Sequence, residues 1–244
     1  MDVSDFESAF ALPLTEETSF DTFVVGMLVT LASFATPLAG ILLVGYVAKL
    51  VRAGDYDATA LPSFDDFPGM AVEGMRLSAV LVALQLPAVG IATAVLSSSG
   101  PSLAALAYVF DPRMFQYLGL SAFGIVGLVV AAVAALVGTY LSAAATVALA
   151  REQSLAAAVP VTRTLVFDIS FVPVVSAVAL VVFSGRLLTF LFGAFPFGGV
   201  VLASVVSFLL LVASATLLGR GAPETPTESG GWRPEVQTDT AGWE

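Results

Sequence analysis

Five stretches of this chain are apolar over at least the roughly 20 residues a helix needs to cross a hydrocarbon core, which leaves few folds open. The runs are Phe23 to Val47, Leu77 to Leu96, Leu118 to Ala150, Ile169 to Phe192 and Gly198 to Leu218. In lipid a lone strand leaves its backbone N–H and C=O groups unpaired, whereas a helix satisfies its own. The alternating pattern of a membrane barrel is absent. The expected fold class is therefore all-α, an integral membrane bundle of about five transmembrane helices. A charged fraction of 11% against 58% hydrophobic residues and a mean hydropathy of +0.96 point the same way, because a soluble chain must spend more residues on its surface.

The runs divide the chain into an acidic N-terminal tail (1–22), a membrane domain (23–220) and an acidic, disordered C-terminal tail (221–244). The first 22 residues carry no Lys or Arg, so the basic region of a cleavable signal is missing and the first span is expected to persist. Asp111 and Pro112 form an N-cap and first-turn pair before the long third run. Arg186 lies near the end of the fourth run, where its head can snorkel to the headgroups.

Orientation follows from the cations. Lys49, Arg52, Arg76, Arg151, Arg163 and Arg220 fall on one side of a five-span arrangement, and Arg113 and Arg186 on the other. The positive-inside rule then puts the N-terminus outside and the C-terminus in the cytoplasm, in the plasma membrane. Tyr108, Phe110, Phe115 and Tyr117 fit an outer aromatic belt.

With no Cys and no His, thiol nucleophiles, thiolate metal sites and the usual proton shuttle are excluded. No catalytic, metal or cofactor site is expected, and the chain reads as non-enzymatic. A net charge of −10 excludes nucleic acid as a partner. The expected partners are the lipid bilayer and either a second copy of the chain or another membrane protein. Acidity combined with a single lysine, Lys49, suits surroundings of high ionic strength, a halophile-like composition. Trp232 and Trp243 in the tail read as a docking motif, a membrane-surface contact or residues with no role of their own.

One stretch stands out, "LPSFDDFPGMAVEGM", Leu61 to Met75. Asp65 and Asp66 are placed to cap a helix whose first turn tolerates Pro68. Its spacing puts Phe67, Met70, Ala71, Gly74 and Met75 on one face and Glu73 and Arg76 on the other, a short amphipathic helix in the cytoplasmic interface before the second span. The calcium-loop alternative, Asp55, Asp57, Thr59 and Asp66, fails because Ala60 replaces the turn glycine and position twelve is Asp.

These residues carry a resemblance. "GYVAKLVRAG", Gly45 to Gly54, followed by the Leu61 to Met75 stretch, resembles the opening of a prokaryotic membrane family catalogued as domain of unknown function 4013. The shared pattern is Gly45 and Tyr46, basic residues, Pro62, Phe64, Asp65, Asp66, Phe67 and a later Gly74. "LAREQSLAAA", "FPFGG" and "VSFLLLVASATLLGRG" are similar to the family's second half, so the resemblance covers most of Pro37 to Gly221. The chain has "AVPV", Ala158 to Val161, where relatives carry an Ala-Phe-Asp-Phe element. The resemblance implies a multi-pass membrane protein and no reaction.

Two further features bear on function. Gln85, followed by Pro87, is the most polar mid-span residue and is either a cavity residue, with Thr36 or Thr139 nearby, or half of an interhelical hydrogen bond. Gly127, Ala131, Ala135 and Gly138 place small residues on one stripe of the third helix, a packing face within the chain or between copies. The leading expectation is a membrane scaffold or accessory subunit, and the alternative a small-solute permease or channel component.

Overall fold

The computed structural model describes residues 17–56, 58, 60–98, 122–193, 195 and 198–223. Among these, all regular structure is helical: α1 Glu17–Ser33, α2 Pro37–Asp55, α3 Phe67–Ser98, α4 Ala122–Glu152, α5 Leu155–Phe167, α6 Phe171–Gly193 and α7 Gly199–Gly221. Five of them, α2, α3, α4, α6 and α7, are long and apolar enough to cross a membrane, while α1 and α5 are shorter apolar helices.

The apolar run from Phe23 to Val47 is not one span. Proline forces the preceding residue out of the helical region, and Thr36 before Pro37 is extended (φ −136°, ψ 129°). Phe34, Ala35 and Thr36 close α1 with backbone bonds to Leu31 and Ala32. Phe23 and Tyr46 are 23 residues apart, so one continuous helix would separate them by about 34 Å. Both instead contact the Phe208 ring, at centroid distances of 5.6 and 6.0 Å, so α1 doubles back beside α2. Hydropathy missed this because a hairpin in lipid is apolar on both arms.

A second difference lies at the start of α3. No separate interfacial helix precedes the second span, since α3 runs unbroken from Phe67 through Pro87 to Ser98. The short helix between long ones is α5. It begins where Gln153 takes the left-handed conformation (φ 54°) and the Ser154 hydroxyl accepts from the Ala157 N–H at 3.2 Å, an N-cap. It then returns along α4, so that the Tyr140 hydroxyl donates to the Val166 carbonyl at 3.3 Å and Phe171 packs on the Tyr140 ring.

The core is built around α2, which lies against α1, α3 and α7, while α3 pairs with α4 and α6 with α7. Two seams on α2 are reciprocal. A Cβ on Gly45 would strike the Met70 carbonyl oxygen, and one on Gly74 the Ile41 carbonyl oxygen. Likewise a Cβ on Gly54 would come within 2.5 Å of the Thr216 carbonyl oxygen, and one on Gly219 would strike that of Val51. Without a solvent-driven hydrophobic effect in lipid, such backbone-to-backbone approach is what holds helices together. Tyr46, Leu50, Met70, Leu77, Phe171 and Phe208 fill the space between the seams and are fully or almost fully buried.

Candidate functional site

The residues of the Gly45 to Gly74 pattern meet at one end of the bundle. Tyr46 lies flat on Phe64, with centroids 4.0 Å apart and an interplanar angle of 17°, and its hydroxyl donates to the Pro62 carbonyl at 3.0 Å. The aromatic pair therefore pins the α2–α3 loop to the wall of α2, and the Gly45 and Gly74 seam brings α3 close enough for it to do so. The Asp66 carboxylate accepts from the Gly69 N–H at 2.9 Å, so Asp66 caps α3, with Pro68 in the first turn. Asp65 and Phe67 are exposed.

The face expected for this stretch is partly turned. Met70, Gly74 and Leu77 are buried, whereas Phe67 and Met75 face outward. Glu73, assigned to the polar side, instead points at α2 and pairs with Arg52 at 2.6 Å. The ion pair needs that inward position, and Phe67 and Met75 are left on the exposed side.

Around this loop the helix ends are tied by charge. Lys49 Nζ donates to the Ser63 carbonyl at 3.4 Å, and Arg76 to that of Gln153 at 3.4 Å. Arg151, at the end of α4, clasps both Asp55 oxygens, at 2.5 and 3.2 Å. It also donates to the carbonyls of Pro223 (2.9 Å) and Ala222 (3.4 Å) just beyond α7. One guanidinium thus joins the ends of α2, α4 and α7. Asp55 and Asp66, the ends of the calcium-loop pattern, are an ion-pair partner and a helix cap, and Asp57 and Thr59 lie outside the described residues.

Deeper in the bundle, Gln85 Nε2 donates to Thr139 Oγ1 at 3.3 Å, and that hydroxyl donates to the Ala135 carbonyl at 2.8 Å. Pro87 is exposed, and Thr36 lies at the α1–α2 turn, not beside Gln85. The small residues of α4 face α3: Ala131 is buried, a Cβ on Gly127 would strike Val95, and one on Gly138 would lie 2.9 Å from the Leu84 carbonyl oxygen. Ala135 is half-buried on the same helix.

Asp168, in the α5–α6 turn, accepts from the Ser170 N–H (2.9 Å) and hydroxyl (2.7 Å). These two bonds, the hydroxyl's foremost, hold its carboxyl below the usual carboxylate range. Folded-state depression means that whatever stability this turn contributes is present above the unfolded carboxylate pKa and is lost as pH falls through the folded one.

In the sequence Arg151 reads only as a topology charge and Glu73 only as a polar-face residue, and Phe208 is one apolar residue among many. An arginine at the end of an apolar run reads as a topology signal, and nothing in its spacing identifies Asp55, 96 residues away, as its partner. The belt residues 108–117, Trp232 and Trp243 lie outside the described residues.

Tyr46 to Phe is the direct test of the loop clasp. Removing the hydroxyl leaves the Pro62 carbonyl without this donor while keeping the Phe64 stack, and the expected loss is about 1 kcal/mol in detergent unfolding.

Seven described helices, five of them long and apolar enough to cross a membrane, tied by charged clasps at one end, define an all-helical class compatible with a multi-pass membrane protein. Within it, this chain belongs to the family "Protein of unknown function (DUF4013)", whose model matches residues 28–194. The match includes both the Gly45 to Gly74 pattern and the α4–α5 junction. It ends before Phe195, so the similarities read at "FPFGG" and in α7 fall outside it. No curated protein and no solved structure matches the chain.

Proposed function

We propose that this chain is a non-enzymatic scaffold or accessory subunit of the plasma membrane, built to hold helices in fixed register. The observation that carries this is the use of its polar residues. Gln85, the side chain best placed to line a conduit, makes a packing contact with Thr139, and the charged groups of the loop end tie helix to helix. A permease needs polar groups converging on a shared space near the membrane midplane. The cavity beside α5 is instead walled almost wholly by apolar side chains.

Lys49, Arg52, Arg76 and Arg151 gather at the end where α2 and α4 finish and α3 starts, which favours a cytoplasmic face there and a cytoplasmic C-terminus. The outside N-terminus expected from sequence depended on a single span over Phe23 to Val47. With α1 folded back along α2, we infer that Glu17 starts at the cytoplasmic end as well.

The test is purification of the tagged chain in mild detergent, with its mass, followed by reconstitution. A defined complex with another membrane protein, and vesicles no leakier than protein-free ones, are the expected results. Saturable solute flux through the partner-free chain would overturn the scaffold reading. Because the chain has no cysteine, orientation is testable by single substitutions. An impermeant thiol reagent should miss Asp21→Cys and Ser63→Cys in intact cells and reach Ser97→Cys.

A further inference from the structure

Alongside α5 the bundle leaves an open groove of about 450 Å³. Its walls are Val80 and Leu84 of α3, Leu141 and Ala145 of α4, and Ala158 and Val166 of α5. Arg163 is the one charged residue lining it among the described residues. Arg163 is an exposed residue, and no described residue pairs with it. Its neighbours do not compete for a ligand, because the Thr162 and Thr164 hydroxyls donate to the Ala158 and Pro160 carbonyls. Asp168, which shares the adjoining depression with Arg163, turns its carboxylate to Ser170.

A long apolar trough with a lone cation matches a molecule that has apolar chains and an anionic head. We propose that this groove binds one anionic phospholipid, with its acyl chains along α3, α4 and α5 and its phosphate at Arg163. Its side walls support this occupant over a water-soluble one. Leu155, Val159 and Phe167 line the groove and are 52%, 67% and 81% exposed, so its α5 rim is open and apolar, where a lipid chain can enter. The charge chooses among lipids, since a basic pocket between helices on the cytoplasmic side favours an anionic headgroup. The inference rests on the membrane reading above.

The experiment is native mass spectrometry of the full chain in mild detergent, titrated with phosphatidylglycerol or phosphatidylcholine. The parent should retain one phosphatidylglycerol in preference to phosphatidylcholine. Arg163→Gln should lose that preference, with retention falling roughly fivefold, about what one basic residue contributes near a charged headgroup. Val159→Trp, which fills the groove from an exposed position, should lose both lipids. Equal retention of the two lipids by the parent, or an Arg163→Gln variant indistinguishable from it, overturns the proposal. Should Val159→Trp fail to fold, Arg163→Gln decides alone. A chain that stays in solution without detergent would instead sink the membrane reading.

Discussion

Gly74→Ala is expected to loosen the α2–α3 pair and lower the unfolding midpoint in detergent. The new Cβ would collide with the Ile41 carbonyl oxygen and sit 3.0 Å from the Gly45 amide nitrogen. Both are backbone atoms, so no side chain can swing away and the helices themselves must part. Overpacking of this kind costs about 1–3 kcal/mol, and more where nothing yields. The loss should spread, because parting the helices also pulls Phe64 from Tyr46 and Glu73 from Arg52. Gly40→Ala and Gly90→Ala are the controls. A Cβ at either meets nothing within 4 Å, and alanine is the better helix former by about 1 kcal/mol, so both should be neutral or mildly stabilising. If Gly74→Ala behaves like Gly40→Ala, the close seam does not exist.

The second large effect is expected at Arg151→Met. The side chains of Arg151 and Asp55 are only 13% and 23% exposed, so removing the cation strands a largely buried carboxylate. Breaking a buried pair costs about 3–5 kcal/mol. Partial solvation reduces that, and about 2 kcal/mol is the expectation here. Adding Asp55→Asn should recover a substantial part, since it removes the stranded charge. Full additivity of the two losses would mean that the residues do not interact. Limited proteolysis offers an independent reading. Without the guanidinium that holds the Ala222 and Pro223 carbonyls, cleavage just after α7 should become faster.

The sequence was legible where hydrophobic length carries the information. The all-helical class and the count of five long apolar helices follow from it, because crossing lipid sets a minimum run of apolar residues whatever the packing. Facing was harder to read. In water an apolar stripe marks the core, but in a chain this apolar the outer surface is apolar as well, and Phe67 and Met75 are exposed, so the period around Met70 does not separate inner from outer. Gly45 and Gly74 are the better guides, since a residue with no side chain is favoured where backbones touch. The break at Pro37 was also visible, as a Thr-Pro step inside an otherwise uniform run, and hydropathy alone ran past it. Arg151 with Asp55, and the groove at Arg163, depend on residues brought together from distant segments, and no local pattern records them.

Phe208 carries a consequence for how the protein is made. Its ring packs on both Phe23 of α1 and Tyr46 of α2, yet it belongs to α7, the last described helix. During synthesis from the N-terminus, the α1–α2 hairpin and the far side of α2, with Gly54 still unmet by Thr216, must wait until some 160 further residues have been added, a count set by Tyr46 and Phe208 in the chain. Completion of α7 is therefore the step that closes the α1–α2 hairpin. A chain stalled before it would leave Gly54 and the α2 backbone at Val51 without the α7 surface that covers them.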